Sequence, residues 1–356
     1  MKPLTPIVIL LSILASPIGG YGQLHYTMLP LDWQVTTLDG GSLITTITAT
    51  KETLCLGREE AGLWLSHDQG ASFQPDATFG ANRQRRIISV HEERGHRLWL
   101  RARIAGSPVT YKLYRKDQHS KWQYVDKGMD MPFYVDTSDD TTRYYSQDWK
   151  ALSAIFQYRD ENIDVAQARK MAINAEMRCF SIDSHDGMMY YYVAQHVGEK
   201  DGFYRLSPGD ITSPERLPAH GLAISHCYDL IVSSGKRIWL TDHHRQVWLS
   251  ENEGVSFRRY SDQFSHQREI DLLCRWNRSG VLAFDRKAKQ LLILYPNRVE
   301  ALYGLQGSRI TAVHRDPYQK MLYVATTGTG GSVYGGVHLN RISYRELAIA
   351  QLKAKR

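Results

Sequence analysis

Cysteine is scarce in this chain. Its four copies, Cys55, Cys179, Cys227 and Cys274, form no Cys-x-x-Cys pair and sit in no cysteine–histidine cluster. That spacing excludes the common zinc sites, and no metal is expected. A phosphate-cradling loop is missing as well, because Gly328-Thr329-Gly330-Gly331 lacks the lysine and the helix that would have to follow it. No nucleotide or other cofactor is expected, and the lack of a reader motif argues against nucleic acid as a partner. After the first twenty-two residues no apolar run approaches bilayer length. Strong helix formers do not dominate. Short runs of β-branched and aromatic residues alternate with turn residues instead, which points to an all-β chain.

The N-terminus is different in kind. Met1-Lys2 precedes an apolar core from Leu4 to Ala15, then Ser16-Pro17 and Gly19-Gly20-Tyr21-Gly22 offer small residues for cleavage. This pattern predicts a secretory signal peptide over 1–22, with an uncleaved anchor as the alternative. The mature chain is then expected to be soluble and periplasmic or secreted. In an oxidising compartment the four cysteines allow up to two disulfides in three connectivities, and buried free thiols are the other possibility.

What the chain does contain is a repeat. "SHDQGASF" (66–73) returns as "SENEGVSF" (250–257), each directly after Trp-Leu, and the two start 184 residues apart. That distance is four steps of ~46. A degenerate copy, "RKDQHSKW" (115–122), lies between them. Apolar-aromatic-apolar triplets recur around these copies: Leu63-Trp64-Leu65, Leu98-Trp99-Leu100, Ile238-Trp239-Leu240, Val247-Trp248-Leu249 and Leu322-Tyr323-Val324. Alternate residues of a strand share a face, so both faces of these strands are apolar and both must be covered. Units begin near Ile47, Ile88, Phe133, Phe180, Leu230, Leu272 and Thr311. The step of ~44 is that of a four-stranded propeller blade, and Cys179, Cys227 and Cys274 recur at about the same interval.

The expected architecture is therefore a β-propeller over 23–345, with seven four-stranded blades, or six and an insertion. The insertion is placed at about 160–178, where "NIDVAQARKMAINAEM" (162–177) reads as a short helix. Residues 346–356 should form a basic C-terminal helix or tail. The last unit has only three recognisable strands. "DWQVTTL" (32–38) resembles the fourth strand of another unit, so Trp33–Leu38 is expected to pair with Gly336–Ile342 and close the ring.

The two good motif copies resemble the Asp-box, or bacterial neuraminidase repeat, of sialidase-like propellers. The resemblance implies that Ser66, Asp68, Gly70 and Phe73, and likewise Ser250, Asn252, Gly254 and Phe257, are structural turn residues away from the working face. Ser and Asp side chains close such a turn on backbone N–H groups, and glycine supplies the positive φ. Sialidase catalysis is less well supported: the usual Arg-Ile-Pro opening is absent, and "FYRLSP" (203–208) is only a faint echo.

Charge supplies the remaining signal. The net charge is +7, and 82–103 is rich in arginine. The propeller frame places Arg83, Arg85, Arg86, Arg101, Arg103, Arg245, Arg286 and Lys287 around one rim, together with acids such as Glu59 and Asp285. Arginine's planar fork suits carboxylates and phosphates. The expected function is a non-catalytic binding or assembly module docking a protein or an anionic polymer of the cell envelope or exterior. A sialidase-type glycosidase and a periplasmic inhibitor or immunity protein are the alternatives.

Overall fold

The computed structural model describes residues 24–354 apart from 39–41, 81–84, 94–96, 106–109, 118–119, 126–133, 137–142, 148–153, 160–168, 173–176, 184–185, 195–200, 208–209, 234–235, 265–266 and 329–335. The expected leader over 1–22 lies outside these residues. The described strands form seven sheets. Six are each built from four strands consecutive in the chain, spanning 44–80, 85–125, 134–172, 177–216, 227–259 and 270–303. They are blades one to six.

Blade seven contributes Arg309–Asp316, Met321–Thr327 and Val337–Ser343, and takes Gln34–Leu38 as its outer strand. The pairing is antiparallel, with Val35 opposite Asn340 and Leu38 opposite Val337. This is the ring closure expected from the sequence. A second N-terminal strand, His25–Pro30, was not foreseen. It runs parallel to Arg298–Tyr303 and makes blade six five-stranded. The same segment therefore ties both of the last two blades.

The triplets explain where the core lies. Each of five apolar clusters draws on two neighbouring blades, so the core sits in the walls between blades. Trp239 and Tyr323, the centres of two triplets, are fully buried in such walls, and Trp99, the centre of a third, is fully buried as well. At 25 cal/mol per Å² of apolar surface, each wall aromatic contributes on the order of 2–3 kcal/mol. The C-terminal helix Tyr344–Ala354 seals the boundary of blades six and seven through Leu347. It opens with a capping box: the Glu346 N–H donates to Ser343 Oγ (3.2 Å) and the Ser343 N–H to Glu346 Oε2 (3.0 Å).

One local expectation is corrected, and one outer strand is unusually short. Within 162–177, Arg169–Ala172 is a strand, paired antiparallel with Ala154–Gln157 as the outer strand of blade three. These four residues complete a blade where a helical insertion was expected, and 160–168 and 173–176 lie outside the described residues. An outer strand pairs by its backbone along one edge, so backbone pairing overrides the weak helical preference of a short Arg-Lys-Met-Ala run. In blade five the outer strand shrinks to Arg258–Arg259, because Tyr260 turns inward, fully buried, and donates to the Tyr295 carbonyl (2.6 Å).

The inner strands share a further device. Six of them shift register against their neighbour, between Ile44 and Thr46, Ile87 and Ser89, Met177 and Cys179, Cys227 and Asp229, Leu272 and Cys274, and Ile310 and Ala312. Such bulges bend a strand and re-aim its side chains. Side chains and backbone groups of the same strands stitch one blade to the next. Thr48 Oγ1 donates to the Val90 carbonyl (2.6 Å), the Val232 N–H to Ser181 Oγ (3.0 Å) and the Leu272 N–H to Asp229 Oδ2 (3.2 Å). Arg315 Nη1 donates to the Arg275 carbonyl (2.8 Å), and the Ala49 N–H donates to His314 Nε2 (3.1 Å). A disulfide, Cys179–Cys227, joins the inner strands of blades four and five with a Cα separation of 6.1 Å. Cys55 and Cys274 are free, and burial pushes both thiols up to about 12.

His314 bridges the seam between blades seven and one. Burial, with Arg315 and then His91 adding like charge, lowers its pKa to about 4. The unfolded chain, with histidine near 6.5, takes up this proton first as pH falls. Stability should therefore be full above pH 6.5 and decline towards pH 4, by at most about 1.4 kcal/mol per pH unit. His314→Gln keeps an acceptor for the Ala49 N–H and does not titrate. Denaturant titrations across that range should show a shallower loss for the variant; an identical loss would show that His314 is not the titrating group.

Candidate functional site

The antiparallel order of each blade sends its second-to-third-strand loop and its exit to the next blade to one end of the ring. On blades five and six this end carries a ladder of charges. Asp229 and Asp271 occupy the first turns of the two inner strands. Arg245, from the blade-five loop, lies between them, with Nη1 3.3 Å from Asp229 Oδ2 and 2.8 Å from Asp271 Oδ1. Arg286, from the equivalent blade-six loop, donates through Nε to Asp271 Oδ2 at 2.6 Å. Lys287 pairs with Glu269 (3.3 Å), and Arg268 with the buried Asp285 (2.7 Å). The Tyr228 ring, 53% exposed, lies 4.1 Å from the Arg245 guanidinium.

The loops hold these groups by local chemistry. Asp242 Oδ1 accepts from the His244 (2.8 Å) and Gln246 (3.0 Å) N–H groups, and its other oxygen accepts from Trp248 Nε1 (3.1 Å). Asp285 Oδ1 does the same for Lys287 (2.9 Å) and Ala288 (3.0 Å). These are Asx turns. Arg245 itself adopts φ +58°, a left-handed conformation that non-glycine residues seldom take. It is kept there by its N–H to the Asp242 carbonyl (3.0 Å) and its carbonyl to the Ile270 N–H (3.0 Å). Burial raises the Asp229 pKa, opposed by hydrogen bonds from Thr241 and the Leu272 N–H and by the Arg245 charge. The hydrogen bond to Asp271 raises that of Arg286.

Of the eight cations singled out from the sequence, three (Arg245, Arg286 and Lys287) come together here. Arg86 and Arg103 stand opposite one another on blade two, and Arg86 pairs with Glu59 at 2.8 Å. Arg85 pairs in register with Ile104 in the same ladder. Arg101 lies within the sheet, 8% exposed, its guanidinium 4.9 Å from the Tyr111 ring. Arg83 lies outside the described residues. Asp229, Asp271, Glu269, Arg268 and Tyr228 were missed. A signal existed: Asp229-Leu230 and Asp271-Leu272 recur one blade apart, as do Asp242 and Asp285.

At the opposite end of the ring lie the two repeated turns, and three of their bonds match atom for atom, while a fourth reverses, Ser72 Oγ donating to Asp68 Oδ2 but Asn252 Nδ2 donating to Ser256 Oγ. Ser66 Oγ donates to Asp68 Oδ1 (2.7 Å) and accepts from the Gly70 N–H (2.8 Å), while Asp68 Oδ1 accepts from the Ser72 N–H (2.9 Å). Ser250 Oγ donates to Asn252 Oδ1 (2.9 Å) and accepts from the Gly254 N–H (2.9 Å), while Asn252 Oδ1 accepts from the Ser256 N–H (2.9 Å). Gly70 and Gly254 have φ of +87° and +86°. Phe257 packs edge-on against Phe203 of the preceding blade at 5.3 Å, and Phe73 packs against the cluster shared by blades seven and one. In the degenerate copy, the Asp117 N–H donates to Ser120 Oγ (2.9 Å) and Arg97 Nε to Asp117 Oδ1 (2.7 Å). Arg205 of the sialidase-like echo is tied to Glu215 (2.7 Å) and Glu253 (3.1 Å).

No protein-family model matches the chain, and no curated protein sequence matches it. Solved structures do. YCF48 bound to D1 peptide is 13% identical, with a TM-score of 0.60 over 88% of this chain and 97% of that one. YCF48 from Cyanidioschyzon merolae is 14% identical, with a TM-score of 0.58 over 86% and 98%. A catalytically inactive virginiamycin B lyase from Staphylococcus aureus, with quinupristin, is 8% identical, with a TM-score of 0.57 over 87% and 100%. At these identities the likeness is one of fold, and it spans nearly the whole ring: the chain is an all-β propeller.

Proposed function

We propose that this chain is an exported, non-catalytic β-propeller that holds a protein partner on the blade-five and blade-six end of the ring. The observation that carries this reading is the exposed Tyr228 ring with Arg245 stacked on it, itself fixed by two aspartates. Tyrosine and arginine are the side chains that most often dominate protein interfaces, and a pre-fixed arginine loses little freedom on binding. The four cations and four acids paired there balance in charge. That favours a protein offering matched donors and acceptors over a polyanion, which needs a net positive field. Two structural neighbours, YCF48 bound to D1 peptide and the virginiamycin B lyase with quinupristin, lend the fold precedent for holding ligands. The export proposal rests on the leader-like N-terminus and on the Cys179–Cys227 disulfide, a bond typical of oxidising compartments.

The repeated turns are, in this proposal, Asp-boxes of the sialidase-like type, serving the fold. A Cβ at Gly70 would lie 3.0 Å from Leu339 Cδ2 at a φ that disfavours branched residues. Gly70→Val should cost about 1–3 kcal/mol and Asp68→Ala about 1 kcal/mol. Chemical denaturation measures both, and neither variant should change binding at temperatures where it is folded.

The binding face is tested by a photo-crosslinking amino acid placed at Tyr228 and, as a control on the opposite end, at Val255. Native envelope extracts should give discrete protein adducts from position 228 that Arg245→Ala reduces about tenfold. The same adducts from both positions, or none from 228, would refute the assigned face. A fluorogenic sialoside assay should show no turnover; turnover would favour the glycosidase.

A further inference from the structure

At the turn-bearing end of the ring, away from the proposed protein-binding face, a cavity of about 190 Å³ opens between blades one and seven. It could hold about six waters, or one small charged head group with a short stem. Its lining contains one polar group that the fold leaves unused and one that it uses only in part. Tyr323 is fully buried, and among the described residues its hydroxyl has no hydrogen-bond partner. Asp316 is 1% exposed; its Oδ1 accepts from the Tyr318 (2.8 Å) and Gln319 (3.0 Å) N–H groups. Its Oδ2 accepts no hydrogen bond from a described residue. A buried hydroxyl left without a partner is costly, unless something enters to satisfy it.

The mouth repeats the same chemistry. Glu52 and Asp68 line it, and hydrogen bonds from Ser72 and Ser66 hold the Asp68 carboxyl well below the usual carboxylate range. Thr50 and Thr53 add hydroxyls. Neighbouring cations are occupied or peripheral. Arg341 is committed to Gln34 Oε1 (3.1 Å) and the Gln69 carbonyl (3.2 Å), and Lys320 acts on Asp316 from the turn beside it. The roof is tied down: Gln69 Nε2 donates to Gln319 Oε1 (3.0 Å), and Gln319 Nε2 to the Lys51 carbonyl (3.1 Å).

We propose that this cavity is a binding site for a single organic cation, a guanidinium or ammonium group, whose N–H donors bond Asp316 Oδ2 and the Tyr323 oxygen. An anion would meet three carboxylates. A bare metal ion has no suitable set of ligands, since no cluster of three metal-binding side chains occurs among the described residues. A cation bearing several N–H donors matches both the charge and the acceptors. Its source is a free organic amine or an arginine or lysine side chain of a peptide.

Isothermal titration of the folded full chain with argininamide, and with citrullinamide as the neutral isostere, both acetylated on the α-amine, tests this. Argininamide should bind at least about tenfold more tightly than citrullinamide. Tyr323→Phe should weaken argininamide about tenfold while melting stays unchanged. Asp316→Asn, which keeps an acceptor for the two backbone N–H groups, should abolish the preference for the charged ligand. A Gly-Arg-Gly peptide binding more tightly than argininamide supports the site with a side-chain source; weaker binding supports it with a free amine. Equal binding of argininamide and citrullinamide, no binding at millimolar concentration, or affinity unchanged in both folded variants would overturn the proposal and leave a cavity that holds only water.

Discussion

Seven sheets arranged in a circle have no exposed end only when the first and last share a strand. In this chain that condition rests on five residue pairs, from Gln34 opposite Arg341 to Leu38 opposite Val337. The five described walls between blades are apolar on both sides, so an open ring would expose two such faces to water. Closure makes each blade's burial depend on its neighbours. The second N-terminal strand, His25–Pro30, reinforces the same seam by extending blade six before the chain crosses to blade seven. Trp33, 7% exposed between these two strands, donates its indole N–H to the Tyr303 carbonyl at 2.9 Å.

Inside the ring, the bulged inner strands convert packing into register. A wall of aliphatic side chains resists separation but tolerates sliding; a side chain bonded to a neighbour's backbone does not. Thr48, Ser181, Asp229, His314 and Arg315 each fix one boundary in this way. Asp229 has two duties. One oxygen accepts from the Leu272 N–H of the next blade and also faces Arg245 of the rim. The proposed recognition face is therefore built on the same atoms that hold blades five and six in place. That suits a docking surface that must keep its shape.

The period of the triplets and the paired turns carried most of the architecture, because strands covered on both faces leave an unmistakable apolar signature. Closure was legible for the same reason: Gln34–Leu38 resembles a fourth strand lacking a blade. The outer strands were harder. Arg169–Ala172 has few apolar residues and pairs by its backbone, so its sequence reads as a helix as easily as a strand. His25–Pro30 pairs in parallel with a strand more than 270 positions away, a contact that no local pattern reports. The rim was half legible. Loop arginines could be assigned to one end, but which acids meet them depends on the twist of the inner strands. Arg101 shows the limit, since an arginine in a basic run is buried against Tyr111. The cavity at Tyr323 could not be read at all, because it arises from two blades at opposite ends of the chain.

The dependence of the whole ring on its first described strands is open to direct measurement by hydrogen exchange. Mass spectrometry of the native chain should find the amides of Gln34–Leu38 as slowly exchanging as those of Val337–Ser343 and of the inner strands, and all should be released in one cooperative opening. Fast exchange of Gln34–Leu38, with protection retained across the rest of blade seven, would contradict the account, because the ring would then stand without its clasp.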